Sequence, residues 1–194
     1  MDTKLTLFFL YTVVAICLIN FGLANKSTPT NIKEVYMYSG TLAMTGIISE
    51  VLINSFCRAV FDAPLWLYQV TPIRQGDTSV FAFFQWALYG YHLYFVRKKL
   101  QSYHFHYEDA IFALVLSVDA LLLEILINIS SNAFLDTFVF YYLPGDIGHL
   151  TTVLVYPIYL LGGVALCEFL RRFEKDPLFF GNLSFSIAFV IVFL

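Results

Sequence analysis

Two carboxylates in apolar surroundings carry the first chemical signal in this chain. Glu50 heads the stretch Glu50-Val-Leu-Ile-Asn54, and 74 positions later the chain reads Glu124-Ile-Leu-Ile-Asn128. Residues four apart share a helix face, so each Glu stands beside its Asn. An acidic residue at the centre of a membrane helix costs roughly 2.5–3.5 kcal/mol even on lenient insertion scales. Both faces are therefore expected to point at protein or a water-filled cavity, not at lipid. Two chemistries fit. Each Glu can be protonated and tied to an Asn across a helix interface, as glue. Alternatively the two form a proton-transfer pair, because adjacent carboxyls cannot both ionise cheaply: one stays an acid while the other acts as base.

Further titratable groups lie within reach of such a pair. Asp119 stands five residues before Glu124, a rotation of about 140° on a helix. It serves another face, one that Gln85 or His92 could line. The segment Asp146-Ile-Gly-His149 is placed to cap an outward-opening pocket above the two Glu–Asn pairs. An imidazole with an ordinary pKa of roughly 6.5 could shuttle protons there. The plainer reading is that Asp146 caps a helix and His149 sits in the interface. Asp146, His149, Glu50 and Glu124 could also offer oxygen and nitrogen ligands to a metal. With only 4 His in the chain and no His-x-x-x-His or Glu-x-x-His pair, no metal and no cofactor is expected. His104 and His106 read as loop residues, and Cys17, Cys57 and Cys167 as packing.

The likeness extends beyond the two short stretches. From Glu34 to Lys98, compared with Glu108 to Arg172, 13 of 65 positions are identical without a gap, including Asp62 with Asp136, Tyr68 with Tyr142 and Thr78 with Thr152. Chance would favour Leu and Phe, whereas Glu, Asn, Asp and Arg match here. The pattern points to a tandem duplication, residues 34–98 and 108–172. Each copy contains two apolar stretches, so both enter a membrane from the same side, and the expected relation is a pseudo-twofold axis along the membrane normal.

The elements that must position these residues are membrane helices. The chain has 194 residues, 59% of them hydrophobic and 13% charged, which is too apolar for a soluble domain of this size. Six stretches are long enough to span: Leu5–Leu23, Val35–Phe56, Thr78–Val96, Asp109–Ser131, Ile147–Leu170 and Leu178–Leu194. The expected class is an all-α polytopic membrane protein of about six transmembrane helices, a single membrane domain over 1–194. Its first helix (5–23) reads as an uncleaved span rather than a signal, and its last (178–194) as a short one. Of 11 basic residues, 8 fall in the loops 25–34, 97–108 and 171–177, Lys26 among them. That places those loops in the cytoplasm and the N-terminus outside. The outer segments 62–77 and 132–146 are aromatic and match one another. They read as interfacial segments or, more sharply, as a lid over a cavity.

A membrane-embedded enzyme that protonates and deprotonates an apolar isoprenoid or lipid follows from these features. Glu50 and Glu124 form its acid/base pair, and Asp119, Asp146 and His149 are further candidates. Asn54, Asn128, Trp66, Trp86, Gln85 and Tyr142 would line the substrate, since aromatic faces stabilise a developing cation. A proton-coupled carrier and a non-catalytic subunit of a larger membrane complex are the alternatives. Expected partners are membrane lipids, with a homo-oligomer or partner membrane subunits. No basic patch points to nucleic acid.

Overall fold

The computed structural model describes residues 3–24 and 29–193; Lys26 and the chain-end position Leu194 lie outside the described residues. Among the described residues six helices carry the fold: α1 (Thr3–Leu23), α2 (Ile32–Phe61), α3 (Val80–Gln101), α4 (Glu108–Leu135), α5 (Tyr156–Phe173) and α6 (Pro177–Phe193). Four helical stretches are long and apolar enough to cross a membrane: α1, α2, α4 and Val153–Phe173. α6 is apolar but shorter, and α3, which holds Gln85, His92 and the Arg97-Lys98-Lys99 run, is not among the four.

Local chemistry sets the helix ends. Ser79 Oγ accepts from Ala82 N at 2.8 Å to open α3, and Asn31 Oδ1 accepts from Lys33 N at 3.1 Å to open α2, as N-cap residues do. α2 and α4 stop alike, on Asp62 and Asp136 in the left-handed region, each with φ 57°. α5 begins later than the apolar run suggests. The chain first makes a 3-10 turn at Val153–Val155, and Pro157 sits in the first turn of α5 instead of interrupting a longer helix. Pro suits that position because its missing N–H would have no helical partner there.

The expectation of a purely helical chain needs correcting in the two aromatic segments. β1 (Trp66–Tyr68) pairs antiparallel with β4 (Phe140–Tyr142), and β2 (Pro72–Ile73) with β3 (Thr78–Ser79). Strands of two or three residues are too short to leave a readable alternation in sequence. In the longer pair Leu67 faces Tyr141, 74 positions away, while Trp66 faces Tyr142 and Tyr68 faces Phe140.

Packing groups the helices in pairs. α3 lies on α2, and a Cβ added at Gly90 would stand 2.4 Å from the Tyr38 carbonyl oxygen. α5 lies on α4 in the same way, with a Cβ at Gly163 falling 2.9 Å from Ala113 Cα. α6 packs along α2, and α1 against α3 and α4. One buried cluster, with Phe8, Trp66, Tyr68, Phe140 and Tyr142, lies under the strand pair; a second, with Met37, Leu93, Phe112 and Leu170, fills the other end.

Candidate functional site

Glu50, 4% exposed, accepts hydrogen bonds from three side chains. Tyr68 Oη and Trp86 Nε1 (2.7 Å) donate to Oε1, and Thr78 Oγ1 donates to Oε2 at 2.5 Å. Two of these donors come from the segment after α2, which folds back over the helix, and one comes from α3. One turn further along α2, Asn54 docks the same segment. Its Oδ1 accepts from Leu65 N (2.9 Å) and Trp66 N (3.3 Å), and its Nδ2 donates to the Trp66 carbonyl at 3.0 Å.

Glu124 is held by the same plan. Tyr142 Oη (2.7 Å) and Tyr159 Oη donate to Oε1, and Thr151 Oγ1 donates to Oε2 at 2.5 Å. Asn128 Oδ1 accepts from Val139 N (3.1 Å) and Phe140 N (3.3 Å); its Nδ2 donates to the carbonyls of Phe140 (2.9 Å) and Leu150 (2.8 Å). Through Tyr142 the partners lie 74 positions from those of the first site. Beyond it the step is 73, so Thr78 corresponds to Thr151, not to Thr152 as an ungapped comparison has it. Burial first, and the neighbouring carboxylate second, push the Tyr68 and Tyr142 hydroxyls well above their ordinary pKa, which keeps them donors.

Both carboxylates open on one cavity of about 560 Å³, within the range of ligand pockets. Trp66, Tyr68, Phe140 and Tyr142 of the strand pair line it, so the aromatic segments form a lid over the site. Gln85 and Trp86 from α3 and Tyr159 from α5 line it as well. Gln85 Nε2 is buried there without a partner.

The remaining residues singled out from the sequence sit elsewhere. Asn54 and Asn128, both fully buried, are not among the lining residues and spend their amides on the lid backbone. Glu and Asn do share a face, but neither bonds the other. Asp146 accepts from Val153 N (2.9 Å) and Thr152 Oγ1 (3.0 Å), bonds that hold its carboxyl below the usual range, backbone N–H first. It caps the turn that opens α5. His149, with φ 63°, stacks on Tyr141 at 4.3 Å, and its Nδ1 lies 2.7 Å from the Tyr142 carbonyl oxygen; it stays outside the cavity lining. Asp119 is not among the lining residues and meets another group. Its Oδ2 is 3.3 Å from His92 Nε2, and His92 Nδ1 is 2.8 Å from Asn20 Oδ1. Among the described residues no group of three or more His, Cys, Asp or Glu is arranged to hold a metal ion.

Sequence reasoning missed the donors Tyr68, Thr78, Thr151 and Tyr159 as site residues. A signal for the first two existed, because both are identical to their counterparts in the comparison of the halves. Tyr159 carried none, since its counterpart Trp86 is a different residue. No family model matches the chain, and neither a curated protein nor a solved structure matches it.

Proposed function

We propose that this chain is a membrane-embedded acid/base enzyme acting on an apolar isoprenoid or lipid, with Glu50 and Glu124 as its proton-transfer pair. The observation that carries the reading is the single apolar cavity that takes in both carboxylates under an aromatic lid. The chain is read as a tandem duplication in one membrane domain, with six spans, the N-terminus outside and the basic loops in the cytoplasm. The strand pairing supports the duplication: Leu67 and Tyr141 are directly opposed across β1 and β4, as a twofold axis between two copies would require.

The third donor at each site supports a division of roles. Trp86 Nε1 can only donate, so Glu50 Oε1 always accepts and Glu50 has one fewer partner able to accept a carboxyl proton, which favours it as the base. Every partner of Glu124 is a hydroxyl, which can turn to accept, so a protonated Glu124 is accommodated and acts as the acid. In an isomerisation, Glu124 would deliver its proton to one carbon of a double bond. The cation formed would lie against the aromatic faces of the lid. Glu50 would then take a proton from the carbon next to the cationic centre, and the double bond would have moved with no oxidant or reductant consumed. To reset the pair, Glu50 would release the proton it took to solvent, and one proton from solvent would return to Glu124 through the Tyr159 and Tyr142 hydroxyls.

A non-catalytic role in a larger complex draws on a different observation: each carboxylate already accepts three bonds from its own chain, as helix glue would. Incorporation of deuterium separates the two. Protein in nanodiscs is incubated in deuterated water with the lipid extract of its host membrane, and the extract is read by mass spectrometry. The enzyme reading expects one deuteron to enter one apolar lipid class, with the rate falling about 100-fold or more in Glu50→Gln and in Glu124→Gln. No deuteration by the parent, with a chain that purifies only alongside other subunits, overturns it.

A further inference from the structure

The cavity has two side walls that a duplicated fold would make alike, and they are filled differently. At the junction of α3 and α4 stand Tyr89 and His92 of α3, 8% and 3% exposed, with Asp119 of α4. The corresponding positions on the other side are Gly162 and Ala165 of α5, both exposed, and Thr45 of α2. A Cβ added at Gly162 would meet nothing within 4 Å. Thr45 turns its hydroxyl back on its own helix, donating to the Thr41 carbonyl at 2.8 Å, and so presents a methyl group.

α1 exists once, and it occupies the first junction only. Thr12, Ile16 and Ile19 from α1 line the cavity there, and α1 packs on α3 and α4. Asn20 fastens it to His92, which in turn meets Asp119. As placed, Asn20 Nδ2, His92 Nε2 and Asp119 Oδ2 have no hydrogen-bond partner. With the Asn20 amide turned so that Nδ2 donates to His92 Nδ1, Nδ2 gains a partner and the ring carries its proton on Nε2, 3.3 Å from Asp119 Oδ2. Tyr11 Oη adds a contact at 3.5 Å to Ser130 of α4. At the second junction Met44 and Ile48 of α2 and Gly162, Ala165 and Phe169 of α5 line the same cavity, so the groove between these helices is continuous with the space around the carboxylates.

We infer that the groove between α2 and α5 is a binding site for one hydrocarbon chain of the bilayer, an acyl or isoprenoid tail, and the route by which it reaches Glu50 and Glu124. The equivalent groove between α3 and α4 is closed by α1, locked through Asn20, His92 and Asp119. This rests on the reading of the chain as a membrane protein with an apolar substrate. The chemistry of the occupant follows from the groove: Met44, the Thr45 methyl, Ile48, Gly162, Ala165 and Phe169 leave a narrow channel lined mostly by apolar groups, which suits a hydrocarbon tail better than a polar headgroup. Binding there selects for a flexible tail, while any headgroup stays at the membrane surface.

Tryptophan quenching by brominated lipid tests the groove without needing turnover. The chain has 2 Trp, both lining the cavity, and Trp66→Phe leaves Trp86 alone. In nanodiscs of phosphatidylcholine brominated on its acyl chains, Trp86 emission is expected to fall by half or more relative to unbrominated lipid. Gly162→Phe and Ala165→Leu are each expected to remove most of that quenching. Ala165 is exposed, so its variant leaves the packed core intact, and the same contrast can be read with both tryptophans present. Absence of quenching in the parent overturns the inference, as does equal quenching in parent and both variants. A dimer by native mass spectrometry with unquenched Trp86 would overturn it too, by assigning the groove to a second copy of the chain. Failure here with deuterium still entering a lipid class leaves the acid/base reading intact; quenching without deuteration leaves the groove and removes the chemistry.

Discussion

The surroundings of Glu50 and Glu124 share a frame and differ in what fills it. In both, a Tyr and a Thr from the segment after the helix reach back to the carboxylate, and an Asn one turn away pins that segment by its backbone. The differences lie around that frame. Glu50 is buried and meets an indole; Glu124 is half-buried and meets a phenol. Beside the α3–α4 junction stand Tyr89, His92 and a packed α1; beside the α2–α5 junction stand Gly162 and Ala165 and no extra helix. Two stretches with a like frame thus hold two carboxylates in like geometry while the side chains around them differ.

The largest test of the shared frame is removal of the pinning amides. Asn54→Ala strands Leu65 N, Trp66 N and the Trp66 carbonyl, and Asn128→Ala strands Phe140 N and the carbonyls of Phe140 and Leu150, while Val139 N keeps Ser131 Oγ at 3.1 Å, so each should cost about 3 kcal/mol or more. Unfolding in mild detergent measures this. Clearly unequal effects would break the equivalence of the two segments.

Helix contacts provide a finer test. Gly90→Ala drives a methyl into the Tyr38 carbonyl and should cost about 1–3 kcal/mol, as overpacking does. Gly163→Ala should cost less, because its contact with Ala113 is looser. Gly162→Ala, one residue away in open space, should be neutral or stabilising by about 0.5–1 kcal/mol, since Gly weakens a helix interior. A destabilised Gly162→Ala would mean the groove is occupied by protein.

Acid titration probes a group that only the second half has. Asp146, where the first half has no acid, is held below the usual carboxylate range by the Val153 N–H and then the Thr152 hydroxyl. A lowered folded-state pKa contributes stability that is present above the ordinary carboxylate value and lost as pH falls through the lowered one. The effect is small, since Asp146 is exposed. Asp146→Asn should flatten the acid side of the stability profile and leave neutral pH nearly unchanged. An unaltered acid slope would show that the turn opening α5 does not depend on this carboxylate.

The sequence by itself determined that long apolar helices build this chain, because hydropathy over a helix length is a local property that neighbours cannot undo. The likeness of the two halves was also readable, down to Tyr68, Tyr142 and Thr78. Pairing Thr78 with Thr151, however, required the hydrogen bonds, since one missing residue between Tyr142 and Thr151 is invisible to an ungapped comparison. That Asn54 and Asn128 bond the backbone of the segments after their helices was decided only by tertiary structure. Spacing places a side chain on a helix face, but its partner depends on which distant segment folds over that face. The same holds for Asp119, whose partner His92 comes from another helix, and for Asp146 and His149, which the turn before α5 keeps outside the cavity. The joining of both carboxylates in one cavity, and its sealing on one side by α1, arise from contacts between residues far apart in the chain, which no local pattern records.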